Sequence, residues 1–132
     1  MSLVIDASVV VAALVDGGAD GAWAEPHLVA GGLVAPHLMP AEVANVLRRA
    51  VLAGALSSDA ASLAHRDLLD LRVELFPYEP YAERVWELRA NVTAYDAWYV
   101  AIAEQLGAPL VTLDRRLAGS SGPRCQFAVR PT

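Results

Sequence analysis

Four carboxylates, Asp6, Glu42, Asp96 and Asp114, stand where a chain of alternating strands and helices can bring acids together. Asp6 directly follows the apolar run Leu3-Val4-Ile5, and Asp114 follows the run from Leu110 to Leu113. Glu42 and Asp96 fall in the first turns of two helical stretches. In a parallel α/β layout strand C-termini and helix N-termini share one edge of the sheet, and ligands of open sheets bind at that edge. Four unpaired carboxylates in one crevice repel one another and push some of their number toward protonation. A hard divalent cation removes the conflict: Mg²⁺ and Mn²⁺ take oxygen ligands, and Mg²⁺ keeps several waters. A pair of such ions ~3.5–4 Å apart activates water and stabilises both oxygens of a phosphodiester displacement. A plainer reading stands beside this one. The helix dipole favours first-turn acids by ~0.3–1 kcal/mol, so Glu42 and Asp96, each taken alone, also read as helix-end residues. Strand exits carry no such preference, which makes Asp6 and Asp114 harder to explain that way.

The elements that must position these acids follow from apolar spacing and from proline, glycine and serine punctuation. Leu3–Ile5 reads as a buried parallel strand. Ser8 is a candidate cap for the following helix, VVVAALVD, which ends before Gly17-Gly18. A weaker helix covers roughly Asp20 to Ala30, with Pro26 allowing only part of it, and Leu33–Ala35 is a second short strand. Pro40 suits a helix first turn. In that helix Val43, Val46, Leu47, Ala50 and Val51 form an apolar stripe, while Glu42, Asn45 and Arg49 share another face. Gly54 ends it, and Ser57 or Ser58 caps a helix to about Leu71. Arg72–Phe76 is a third strand, and Pro80 opens a helix through Arg89. Thr93 caps the next helix, with Asp96 three residues on as a capping-box-like partner. Leu110–Leu113 is a fourth strand, followed by a turn at Gly119 to Pro123 and a short last strand, Gln126–Val129. Strands alternating with helices predict an α/β domain with a mostly parallel, four- to five-stranded sheet and right-handed crossovers. The 132 residues are expected to form one domain.

Composition narrows the function classes. No apolar run approaches the ~18–20 residues of a membrane span, and MSLVIDAS lacks the basic region of a signal peptide. The lone Cys125 excludes a disulfide framework and suits a reducing cytoplasm. The net charge of −5 lacks the basic balance usual for nucleic-acid binders. A bound cation would offset the acids, however, and all ten cations are arginine, the residue better suited to phosphate forks. His27, His37 and His65 have no metal-ligand spacing. Trp98, Tyr99, Trp86, Tyr78 and Tyr81 lie in apolar-patterned helices and are expected to pack in the core or at a dimer face rather than to stack on bases.

Three segments, VIDASVVVAAL, PAEVANVLRRA and TAYDAWYVAIAEQLGAPLVTLDRRL, together resemble the PIN-domain ribonucleases, specifically the VapC toxins of type II toxin–antitoxin pairs. They run in the family's order over essentially the whole chain. The resemblance implies an α/β/α sandwich and a metal-dependent endoribonuclease. It carries the family's acidic quartet onto Asp6, Glu42, Asp96 and Asp114, holding Mg²⁺, with Mn²⁺ as a substitute. Asp6 and Asp96 are then the principal ligands, and Glu42 and Asp114 bind a second ion or orient water. The family's small polar neighbours fall at Ser8, Asn45 and Thr112. Thr112, two residues before Asp114 on a strand, is expected to face the same side and steady a ligand carboxylate. Ser8 remains either a cap or a site residue. Some PIN domains carry a further acid where this chain has Arg116. Arg115 and Arg116 are candidate RNA contacts or a solvated surface pair, and Arg48 and Arg49 share that ambiguity. The resemblance also implies a cognate VapB-type antitoxin, an RNA substrate, a homodimer, no membrane and a cytoplasmic setting.

Two other readings compete. One is a PIN-type RNA-binding or scaffolding domain without catalysis, against which all four acids speak. The other is an α/β phosphohydrolase built on an aspartyl nucleophile and a catalytic lysine. The chain contains no lysine, which weighs against it.

Overall fold

The structure, a computed structural model, describes residues 1–132. Five strands form one parallel sheet: β1 (Leu3–Ile5), β2 (Leu33–Pro36), β3 (Val73–Phe76), β4 (Leu110–Val111) and β5 (Phe127–Ala128), in the order β3-β2-β1-β4-β5. Val4 pairs with Val34 on one side and with Leu110 on the other, which makes β1 the centre of the sheet. From β1 the chain first adds strands to one side and later, with β4 and β5, to the other. A crevice opens where the winding reverses, beyond the carboxyl ends of β1 and β4. Val4, Ile5, Leu110 and Val111 are fully buried, as strands covered on both faces must be.

The helices are α1 (Ala7–Val15), α2 (Ala19–Val29), α3 (Met39–Leu52), α4 (Ser58–Asp70), α5 (Ala82–Glu87), α6 (Ala94–Leu106) and α7 (Arg115–Ala118). α6 lies against β1, β2 and β4, while α1 packs on α2, α3 and α4. Ser57 caps α4 by accepting the Ala60 N–H at 3.1 Å, and Gly107, at φ 61°, closes α6 in the left-handed conformation that glycine tolerates. No helix is long and apolar enough to cross a membrane.

Several expected boundaries move. α2 continues through Pro26, because Ala22, whose carbonyl loses its partner there, is exposed to water, while Gly21 and Ala24 face inward. Gly21 is required at that contact, since a Cβ would sit 1.8 Å from the Asp16 carbonyl oxygen. α3 begins at Met39, with Pro40 second. The helix expected from Pro80 to Arg89 is a 3₁₀ turn, Glu79–Tyr81, followed by the short α5. Its end tightens into three-residue bonds, and the Arg89 guanidinium takes up the Trp86 carbonyl at 2.7 Å. β3 starts at Val73 rather than Arg72. The fourth strand stops at Val111 instead of Leu113, because Asp114 starts α7, a helix that apolar spacing does not reveal.

Candidate active site

Asp6 occupies the junction between β1 and α1, in extended backbone at the helix N-cap. It is buried, with 8 % relative exposure. The Thr112 hydroxyl donates to its Oδ2 at 2.7 Å and the Ser8 hydroxyl to the same oxygen at 2.8 Å, so Oδ1 has no side-chain partner. The Ser8 oxygen also accepts the Leu113 N–H at 3.2 Å, and Thr112 Oγ1 accepts the Asp114 N–H at 3.0 Å. Two small hydroxyls therefore tie the end of β1 to the segment leaving β4. This resolves the role of Ser8 that the sequence left open. Ser8 lies inside α1 and holds Asp6 rather than capping the helix. Thr112 sits just past β4, and the carboxylate its hydroxyl holds is that of Asp6.

Glu42 projects from the first turn of α3, and its Oε1 accepts the Tyr99 hydroxyl at 2.7 Å. Asp96 lies in the first turn of α6, where its N–H donates to Thr93 Oγ1 at 3.2 Å. The capping box is thus made on one side only, as no Asp96 carboxylate bond to the Thr93 N–H accompanies it. Asp114 caps α7, its Oδ1 accepting from the Arg116 and Leu117 N–H groups at 3.0 and 3.1 Å. A strand-exit acid thereby proves to have a structural duty as well, one that engages a single carboxylate oxygen.

All four acids line one cavity of about 530 Å³. Ser8 and Asn45 border it too, with Arg49 and Tyr95 at its wall. None of the four takes part in an ion pair; the chain's ion pairs join Arg84 to Glu87 and Glu104, and Arg130 to Asp20. Burial, reinforced by the charge of Asp114, pushes the Asp6 carboxyl up against the opposing pull of Thr112 and Ser8. Burial raises Glu42 as well, with the Asp6 and Asp96 charges adding to it and the Tyr99 bond opposing. Asp96 is raised by burial and then by the charges of Asp6 and Asp114. Tyr99, buried and beside these charges, is pushed far above its ordinary range and remains a donor.

The carboxylate set offers oxygen only, is paired with no protein cation, and is strained by its own charge. These features fit a hard divalent ion. No three of the carboxylates are drawn tightly enough to form a ready-made cage, so ligation requires side-chain adjustment or bridging water.

Not every expected residue joins this crevice. Arg115 turns to the chain end, donating to the Arg130 carbonyl, and lines a separate hollow with Asp20 and Arg130. Arg116 borders a second cavity of about 180 Å³ that shares Asp96 and Asp114 with the first. Tyr81 and Tyr99 are core residues as expected, while Trp86 is 66 % exposed, stacked under Arg89. Tyr99 was legible only as core, although its position three residues after Asp96 on a helix was a usable sign that it shares that residue's face. Tyr95 carried no sign of its own.

Fold and crevice together define a parallel α/β protein with an acidic, oxygen-donor site at the point where its winding reverses. The PIN domain family model matches residues 3–119, and the chain belongs to the PIN-domain family. It is 44 % identical over 125 residues to Ribonuclease VapC1 of Mycobacterium tuberculosis, covering 94 % of each chain. It is 39 % identical over 129 residues to Ribonuclease VapC9 of the same species, covering 98 % of each. Among solved structures it resembles PAE2754 from Pyrobaculum aerophilum, with a TM-score of 0.67 at 27 % identity over 89 % of this chain and 83 % of that one. It shares the fold of VapBC2 from Rickettsia felis, solved bound to a promoter DNA fragment, with a TM-score of 0.63 at 16 % identity and 98 % coverage of each chain. The expected fold and family are both borne out.

Proposed function

We propose that the chain is a metal-dependent endoribonuclease acting as the toxin of a VapBC-type pair. The observation that carries this reading is the convergence of Asp6, Glu42, Asp96 and Asp114, none of them ion-paired, on one cavity in a PIN-domain chain. The names of its relatives agree with it. Asp6 and Asp96 act as principal ligands of Mg²⁺ or Mn²⁺, with Glu42 and Asp114 completing the set or orienting water. When bound, such an ion supplies activation of water and neutralisation of the charge that develops on the phosphate.

The protein's own groups do the rest. The Thr112 and Ser8 hydroxyls hold Asp6 Oδ2 and so fix the direction of Oδ1. Tyr99 holds Glu42 through its hydroxyl. Asp114, with Oδ1 engaged by α7, presents its second oxygen. Such supporting bonds keep ligands oriented at little reorganisation cost.

The whole of residues 1–132 works as one PIN unit in the cytoplasm, where its RNA substrate lies, and pairs with a second copy of itself. A cognate VapB-type antitoxin restrains it. The chain's net charge of −5 suits a partner with a basic segment. The test is expression of wild type and Asp6→Ala in cells with sequencing of new RNA ends. New ends and growth arrest with wild type alone are expected. Equal growth inhibition by both proteins, with no new ends from either, overturns the assignment.

A further inference from the structure

We propose that RNA crosses the acidic crevice as a single strand, with Arg49 and Arg116 gripping the phosphates on opposite sides of the cleaved one and Tyr95 presenting its ring to a base. This rests on the ribonuclease reading above and adds which residues hold the strand.

The two cavities beside the carboxylates carry the argument. The larger, about 530 Å³, has Arg49 in its wall, and the smaller, about 180 Å³, has Arg116. They share only Asp96 and Asp114. Those two acids therefore stand as a partition with one guanidinium on either side of it. Arg49 lies seven residues beyond Glu42 on α3, two turns along the same face and about 10 Å along the axis. Its side chain lines the cavity of the four carboxylates without pairing with any of them, next to where a neighbouring nucleotide passes. On the far side, Arg116 is fixed by its backbone, since its N–H is bonded to Asp114 Oδ1. Asn91, Thr93 and Ser120 give that cavity a neutral polar lining.

Both guanidiniums are exposed, and neither makes an ion pair or a side-chain hydrogen bond within the protein. This distinguishes them from Arg84, Arg115 and Arg130, which are bound to other parts of the chain. An unpaired arginine beside a cluster of acids is well placed for a ligand that brings its own negative charge, and its planar fork suits phosphate. Tyr95 adjoins Asp96 and is 58 % exposed, although it is a large aromatic. An exposed ring beside a backbone-gripping cation is the combination that holds single strands, whose bases are free to stack. A duplex offers no free base face.

The test uses a pool of short randomised single-stranded RNA with Mn²⁺, comparing wild type with Arg49→Gln, Arg116→Gln, Tyr95→Ala and, as control, Arg66→Gln. Arg66 is exposed on α4, away from both cavities. Cleavage rates are measured against RNA concentration, and metal-free binding is followed by fluorescence anisotropy across a salt series. Arg49→Gln and Arg116→Gln should each raise KM severalfold with kcat within about twofold. Each should also reduce the slope of log affinity against log salt by about 0.7. Tyr95→Ala should weaken binding about five- to a hundredfold without altering that slope. Arg49→Lys and Arg116→Lys should keep the slope, and Arg66→Gln should change nothing. If wild type cleaves the pool but the glutamine variants keep its KM and salt slope, the strand path is overturned and the ribonuclease reading stands. A substrate preference for duplex over single strand overturns the path in the same way. If wild type neither cleaves nor binds RNA, both readings fall together.

Discussion

Asp6 is the carboxylate the fold spends most effort on. It is buried, two hydroxyls donate to one of its oxygens, and one of those hydroxyls comes from the other half of the chain. Thr112 also holds the Asp114 N–H, so a single fully buried hydroxyl links both strand-exit acids. Thr112→Val keeps the shape and removes both bonds. It leaves Asp6 with one hydroxyl fewer and the Asp114 N–H without its acceptor. A loss of about 1–3 kcal/mol is expected, the usual consequence of stranding buried polar groups. Urea unfolding checks it, and an unchanged midpoint would mean that water replaces the hydroxyl. Tyr99 shows the same economy at Glu42: a ring that fills the core carries, at its tip, the hydroxyl that orients a site acid.

At the scale of elements, the site depends on where helices begin. Glu42 and Asp96 enter the crevice from the first turns of α3 and α6, and Asp6 and Asp114 from the N-caps of α1 and α7. The position of α1 is in turn set by α2, which approaches so closely that a Cβ at Gly21 would lie 1.8 Å from the Asp16 carbonyl oxygen and 3.0 Å from that of Ala12. Gly21→Ala must push the two helices apart. It is expected to destabilise the protein by about 1–3 kcal/mol, as overpacking does. Gly17→Ala meets nothing within 4 Å and serves as the neutral control. Chemical denaturation of the two variants decides this, and equal midpoints would show that α2 yields freely.

For the whole molecule, the crevice gathers raised carboxyls whose mutual charge the proposed cation would offset. Asp6, Glu42 and Asp96 are raised, first by burial and then by neighbouring acids: Asp114 at Asp6, Asp6 and Asp96 at Glu42, and Asp6 and Asp114 at Asp96. A carboxyl raised in the folded state contributes stability that is fully present below its unfolded pKa, about 4, and is lost as pH rises through the folded value. In chelator, these three groups therefore weaken the fold on going from acid to neutral pH. Glu104 acts in the opposite sense: burial pulls it up, but the bonds and charges of Arg84 and Arg124 together outweigh that and lower it, so its contribution fades as pH falls. Comparing wild type with Asp96→Asn cancels Glu104 and isolates the site. In chelator at neutral pH, Asp96→Asn should melt higher than wild type, and the gap should close toward pH about 4. Mn²⁺ should stabilise wild type, by about 2.7 kcal/mol at a hundredfold excess over Kd, and the variant much less. A variant that melts lower than wild type in chelator, or gains as much from Mn²⁺, would sink the repulsion argument.

The amino-acid sequence determined the order of the elements, the parallel α/β class and the four acids at one sheet edge. These follow from local rules: short apolar runs make buried strands, prolines and serines mark helix starts, and acids after strands or in first turns share an edge once strands run parallel. Resemblance over three segments then turned the pattern into a family, and the fold bears that out. The tertiary structure decided the partners. That Thr112 and Ser8 meet on one oxygen of Asp6, 106 residues from Thr112, depends on β4 lying beside β1. That Tyr99 reaches Glu42, 57 residues away, depends on how α3 and α6 converge. That Arg115 turns to the chain end while its neighbour Arg116 borders the acids depends on a four-residue helix with no periodic signal. Spacing along the chain specifies which face a residue shares with its near neighbours; contacts between distant segments arise only when packing brings those faces together.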